Sequence, residues 1–92
     1  MDIEDLMEKA KIAAGNSYSP YSHFKVGAAL LCKNGDIVCG ANIENRSFGL
    51  TVCAERSAIS IAISRGIHDF EAIAVCCPNA DYPLSPGGAW RL

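Results

Sequence analysis

An Asn-Gly turn between two apolar segments is the sequence feature that most restricts the fold of this chain. Residues 24–32 are rich in small and branched apolar side chains, which is typical of a strand buried on both faces. Asn34-Gly35 follows, and this dipeptide strongly favours a short hairpin turn. The sequence therefore predicts that the strand turns back antiparallel into a second strand, from Ile37 to about Asn42.

Two helices and a third strand are predicted around this hairpin. Apolar residues recur at helical spacing over 3–14 and again over 51–66. A short apolar run over 71–77 predicts a third strand. Residues 43–49 and 81–90 are predicted to be loops. A helix-connected strand after a hairpin favours a mixed sheet covered by helices.

Composition limits the classes of function. The chain has 92 residues, half of them hydrophobic and a fifth charged, which predicts a single domain over 1–92. A formal net charge of -2 gives no basic surface for nucleic acid. No apolar run is long enough to cross a membrane, and the acidic amino terminus argues against a targeting peptide. The five cysteines form an odd set, which favours reduced thiols in the cytoplasm.

Cys53 and Glu55 are the candidate chemical groups of the second helix. They lie in its predicted first turn, with Thr51 as a plausible N-cap, where the helix dipole favours a thiolate, the form that binds zinc. Taken alone, Cys53 is more often a core residue, and Glu55 a solvated acid. The pair Asn42 and Glu44, two residues apart just upstream, adds a polar edge that favours a binding site.

Three motifs in this order resemble the small zinc-dependent cytidine deaminases of pyrimidine salvage. The motifs are residues 18–30 (YSPYSHFKVGAAL), 42–45 (NIEN) and 53–56 (CAER), with a partial match over 83–91. The resemblance implies a three-layer α/β/α sandwich with a mixed sheet, of which the family's C-terminal strands and helices are missing here. The third strand is therefore expected at an open edge of the sheet. It also implies hydrolytic deamination of cytidine or deoxycytidine, with water as co-substrate, and a homo-oligomer.

The resemblance implies a zinc centre built on the second helix. Cys53 would be the first zinc ligand, and Glu55 would carry protons between the activated water, the ring nitrogen and the departing ammonia. Arg56 would offset the negative charge of the thiolates. Zinc is suited to this chemistry because it lowers the pKa of bound water to about 7.

The resemblance also implies a nucleoside site. Asn42 and Glu44 would hydrogen-bond the ribose hydroxyls, and the backbone amide of Ala54 would hold the pyrimidine carbonyl. Phe24 would pack against the base, although it could equally be a core residue of the first strand.

The chain departs from the family pattern at its two other expected zinc ligands. Gly87 and Trp90 stand where the family has cysteines, and neither can coordinate a metal. Because catalytic zinc needs three protein ligands, weak zinc binding and impaired activity are expected. The alternative is an inactive homologue that binds nucleoside or pairs with other subunits. A further hypothesis is that Cys76 or Cys77 acts as a replacement ligand for the metal held by Cys53.

Overall fold

A computed structural model describes residues 3–20, 23–45, 50–78 and 87–92 of the chain. No helix in these ranges is long and apolar enough to cross a membrane. The elements are, in chain order, α1 (Ile3–Ala14), β1 (Gly27–Cys32), β2 (Ile37–Ala41), β3 (Ile43–Asn45), β4 (Leu50–Val52), α2 (Ala54–Ser64), β5 (Phe70–Cys76) and β6 (Gly87–Arg91).

The predicted hairpin of β1 and β2 is confirmed. The two strands pair antiparallel, with Leu31 opposite Ile37 next to the turn. Gly35 has a φ of 95°, a backbone conformation that residues with a side chain rarely adopt. The Asn34 side chain accepts a hydrogen bond from the backbone N–H of Asp36 at 3.0 Å. Every residue of β1 is buried, as the apolar run predicted.

Two helices cover opposite faces of a four-stranded sheet, ordered β2-β1-β5-β6. The side chains of β1 alternate between these faces. Ala28 and Leu30 pack in one core cluster with α2, whereas Ala29 and Leu31 pack in the other with Leu6 of α1. This arrangement confirms the predicted three-layer α/β/α sandwich.

The structure corrects the prediction for the carboxyl-terminal segment. Residues 87–91 form β6, which pairs antiparallel with β5, so β5 is not the open edge that the sequence suggested. The remainder of the predicted loop, 81–86, lies outside the described residues. Pairing satisfies the backbone N–H and C=O groups that a bare β5 edge would expose. All pairs of the four-stranded sheet are antiparallel, whereas a mixed sheet was predicted.

The segment before α2 also differs from the prediction. Residues 43–45 are not loop but β3, which pairs with β4 so that Glu44 lies opposite Thr51. Thr51 is therefore a strand residue, and the N-cap of α2 is Cys53, whose side chain makes no capping hydrogen bond. The β-forming residues of β4 and their pairing with β3 outweigh the local capping preference of threonine.

Candidate active site

The first turn of α2 lies directly against the end of β2. A Cβ atom built on Gly40 would lie 2.9 Å from the carbonyl oxygen of Ala54 and 2.4 Å from the backbone nitrogen of Ala58. Only a residue without a side chain allows this contact. Gly40 therefore sets the distance between the sheet and the helix that carries Cys53 and Glu55.

The pairing of β3 with β4 brings the two polar motifs to one place. Ile43 lies opposite Val52, the last pair of this hairpin. Asn42 directly precedes Ile43, and Cys53 directly follows Val52, so both flank the same end of the pair. Glu44 is two residues from Asn42 and projects from the same side of the extended chain. The structure thus brings together the predicted residues of the sugar site and of the α2 site.

Asn42 is a buried hydrogen-bonding centre, with 8% of its surface exposed. Its side-chain oxygen Oδ1 accepts a bond from the backbone N–H of Val26 at 2.9 Å and another from the Ser17 hydroxyl. Its side-chain nitrogen Nδ2 donates to the backbone carbonyl of Phe24 at 2.8 Å. Asn42 therefore ties the segment before β1 to the junction of β2 and β3.

The segment before β1 is also held along β3 by backbone bonds. The N–H of Tyr18 donates to the carbonyl of Asn42 at 3.0 Å, and the N–H of Glu44 donates to the carbonyl of Tyr18 at 2.8 Å. Sequence reasoning missed Ser17 and this bridge, because a parallel contact between residues so far apart has no local pattern. Two closely spaced serines before Pro20 were the only signal.

The predicted chemical groups differ in exposure. Cys53 and Arg56 are exposed, Glu55 is half-buried, and Ala54 is buried with 1% of its surface exposed. The first bond within α2 runs from the N–H of Ser57 to the carbonyl of Cys53 at 3.0 Å. The N–H groups that precede Ser57, including that of Ala54, have no partner within the helix and can donate to a carbonyl.

Phe24 is not a core residue of β1, which begins three residues later. Its surface is 37% exposed, and its backbone carbonyl is bound to Asn42. The core alternative for Phe24 is therefore wrong. A role for its ring against a base stays a prediction.

Gly87 and Trp90 lie on β6, the edge strand of the sheet opposite β2. The strand register places Ala41, Gly27, Cys76 and Gly87 in one row across the sheet. Because neighbouring strands are about 4.8 Å apart, Gly87 lies about 14 Å from Ala41. Trp90 is three residues further along β6, opposite Ile73. The described residues contain no group of three His, Cys, Asp or Glu side chains that could hold a metal ion.

The two candidate replacement ligands face different sides of the sheet. Cys76 is buried in the cluster beneath α1, on the face opposite α2, and burial raises the pKa of its thiol. Both facts oppose metal binding next to Cys53, so that hypothesis is wrong for Cys76. Cys77 is the next residue and is half-buried. By strand alternation it belongs to the face of Ile73, the α2 face, and its role as a ligand stays a hypothesis.

The residues described here therefore do not fit a catalytic zinc ion. Cys53 supplies one ligand, whereas such a site needs three. What the arrangement does provide is a cluster of hydrogen-bonding groups around Asn42, a half-buried carboxylate at Glu55 and the positive end of a helix. These groups suit a small polar ligand that carries hydroxyl and carbonyl oxygens.

Known proteins match this chain in sequence and in fold. Residues 1–86 match the family described as the cytidine and deoxycytidylate deaminase zinc-binding region. Cytidine deaminase of Halalkalibacterium halodurans is 50% identical over 91 residues, 99% of this chain and 68% of the relative. Cytidine deaminase of Sporosarcina psychrophila is 47% identical over 91 residues, again 99% of this chain and 66% of the relative.

Solved structures agree with these matches. The crystal structure of cytidine deaminase from Burkholderia pseudomallei superposes with a TM-score of 0.84 at 44% identity, covering 94% of this chain and 68% of that one. The enzyme from Mycobacterium tuberculosis gives 0.78 at 42% identity, covering 83% and 62%. The chain thus spans about two thirds of the length of these relatives. It belongs to the zinc-binding cytidine and deoxycytidylate deaminase family.

Proposed function

We propose that this chain carries the nucleoside-binding part of a cytidine deaminase, acting on cytidine or deoxycytidine in pyrimidine salvage. The observation that carries the proposal is the junction at Asn42, where the motif before β1, the polar pair with Glu44 and the start of α2 meet. In this proposal Asn42 and Glu44 hold the sugar, the Ala54 N–H holds the base carbonyl, and the exposed ring of Phe24 packs on the base.

We further propose that deamination is impaired in the chain as written. In the family's reaction Glu55 would move protons to the ring nitrogen and to the departing ammonia, and its half-buried place in the first turn of α2 suits a carboxylate that meets a ligand. The metal that would supply hydroxide has no sufficient ligand set, since Gly87 and Trp90 cannot coordinate it. Binding without efficient turnover is the expected behaviour.

The test measures binding, metal content and turnover on the same preparation. Isothermal titration calorimetry with cytidine should show binding, while ammonia release should be close to that of a buffer blank. Asn42→Ala should abolish binding, whereas Ser60→Ala, which removes an exposed hydroxyl of α2, should leave it unchanged. Failure of the unmodified chain to bind cytidine would refute the proposed nucleoside site.

The alternative is a homologue that has lost chemistry altogether and retains nucleoside binding or pairing with other subunits. The substitutions at Gly87 and Trp90 favour it, because both remove a ligand while the junction at Asn42 is kept. Metal analysis distinguishes the two cases. Residual zinc that tracks with slow ammonia release indicates an impaired enzyme. Stabilisation by cytidine with no zinc and no turnover indicates a binding protein. In either case we propose a cytoplasmic homo-oligomer, as the resemblance implies.

A further inference from the structure

We infer that Ser17 is a positioning residue: it completes the bonding of Asn42 so that this side chain offers a ligand a hydrogen-bond donor and no acceptor. The inference rests on the proposed nucleoside site and concerns how that site recognises the sugar. Ser17 lies outside all the sequence motifs that predicted the site.

The orientation of the Asn42 amide is fixed by two backbone groups. The Val26 N–H needs an acceptor, and the Phe24 carbonyl needs a donor. A flipped amide would place its NH₂ group against the Val26 N–H and its oxygen against the Phe24 carbonyl, losing both bonds. Oδ1 therefore faces Val26, and Nδ2 faces Phe24.

Ser17 then occupies the remaining lone pair of Oδ1. An amide oxygen accepts two hydrogen bonds, and those from Val26 and Ser17 account for both. Because Oδ1 carries no proton, the Ser17 hydroxyl must donate to it. The hydroxyl oxygens of Ser17 and Ser19 are 3.0 Å apart. Because the one Ser17 proton is given to Oδ1, the Ser19 hydroxyl is the donor in the bond between the two serines. A chain of donors runs from Ser19 through Ser17 to Asn42, and each bond polarises the next.

The consequence for recognition concerns the type of ligand atom that can meet Asn42. Nδ2 has two hydrogens, and among the described residues it donates only to Phe24. Its second hydrogen can be given to a ligand oxygen, whereas Oδ1 has no lone pair left to receive one. The sugar atom held by Asn42 must therefore act as an acceptor, which a ribose hydroxyl oxygen can do and an amino substituent in its protonated form cannot.

The first measurement needs no ligand. In the ¹⁵N-labelled chain, NMR should show Asn42 side-chain amide protons that exchange slowly with solvent. Ser17→Ala should accelerate that exchange about three- to tenfold, because one of the bonds that hold the amide is removed. Ser17→Thr keeps a hydroxyl and should retain the slow exchange, and Ser60→Ala serves as the surface control. This measurement decides the role of Ser17 even if the chain binds no nucleoside.

The second measurement separates positioning from general destabilisation. Ser17→Ala should weaken cytidine binding about three- to tenfold, the ratio that one neutral hydrogen bond is worth. Its affinity for 2′,3′-dideoxycytidine, which lacks the 2′- and 3′-hydroxyls of the sugar, should stay within about twofold of the unmodified chain. Equal weakening for both ligands would mean that Ser17 is merely structural. Unchanged amide exchange and unchanged cytidine affinity would overturn the inference. Binding of neither ligand by the unmodified chain would refute the proposed nucleoside site, while the exchange data still test Ser17.

Discussion

Replacing Gly40 by alanine should separate α2 from the sheet and destabilise the whole fold. The added Cβ would lie 2.4 Å from the backbone nitrogen of Ala58, whereas ordinary contacts begin near about 3.4 Å. The helix would therefore have to withdraw by about 1 Å, and a gap of that size forfeits roughly a quarter to a half of each dispersion contact. The face that would lose contacts is fully buried: Ala54, Ala58 and Ala62 are at most 1% exposed.

We expect Gly40→Ala to lower the free energy of unfolding by about 2 to 4 kcal/mol, in the upper range of overpacking substitutions. For a chain of this size the melting temperature should fall by about 10 °C or more. Urea unfolding followed by circular dichroism measures the change. Gly15→Ala is the matched control, because its Cβ would meet only the Ile12 carbonyl oxygen, at 3.2 Å. It should change stability by less than about 1 kcal/mol.

A second substitution tests the origin of the loss. The atoms nearest to the new Cβ are backbone atoms of α2, including the Ala58 nitrogen. Ala58→Gly removes only a side chain, so it should not rescue Gly40→Ala. If the double variant recovers the lost stability, or if Gly40→Ala is as stable as Gly15→Ala, then the close contact between helix and sheet is not as described.

Three further perturbations test other contacts. Gly27→Ala should destabilise the chain more than Gly40→Ala in the same urea assay, because its Cβ would lie 1.9 Å from the Ala10 carbonyl oxygen; a smaller effect would contradict the packing of α1. Asn42→Asp places a carboxylate oxygen against the Phe24 carbonyl, so the free energy of unfolding should fall by about 1 to 3 kcal/mol at pH 7. Part of this loss should be regained near pH 4, where a protonated carboxyl can donate to the carbonyl. A loss independent of pH would argue against the hydrogen bond between Asn42 and Phe24. Burial, and secondly Asp36, raise the pKa of the Cys32 thiol, so the folded chain favours the protonated thiol. The protonated Cys32 thiol contributes its full share of stability below the usual thiol pKa of about 8.5, and this share decreases above that pH. In Cys32→Ala the free energy of unfolding should therefore decline less between pH 7 and pH 10, as measured by urea unfolding.

Features with a local signal were predicted from the sequence. The helical spacing gave α1 from Ile3 to Ala14, and the Asn34-Gly35 turn gave the hairpin, because both depend on residues close together in the chain. Strand β5 was predicted over 71–77 and spans Phe70–Cys76, so each end was correct within one residue, because the strand is a short continuous apolar run. The residues assigned to the site came from the resemblance to a family together with motif spacing, and their roles stay predictions.

Features that depend on distant partners were not predicted. The short strand β3 has only three residues, and its identity depends on β4 across an intervening segment. The residues of β6 are two glycines, an alanine, a tryptophan and an arginine, a composition with no strand period, and they become a strand only because β5 offers an edge. Ser17 gave no signal of its own, because its role arises from a side chain 25 positions away.

The contacts of the nucleoside junction are separate in sequence from the expected second and third zinc ligands. Every contact that builds the nucleoside junction lies between Ser17 and Ala58, whereas the expected second and third zinc ligands lie at positions 87 and 90 on the edge strand β6. Glycine and tryptophan at these positions cannot coordinate a metal, so stabilisation of this chain by zinc would need other ligands. A metal that binds the folded chain tightly would raise its melting temperature in proportion to the logarithm of metal concentration. We therefore expect added zinc to leave the melting temperature unchanged, while cytidine raises it. The opposite result would be a melting temperature that rises with zinc. If Cys77→Ser abolished this rise and Cys39→Ser, on the exposed sheet edge, did not, Cys77 would complete a metal site with Cys53.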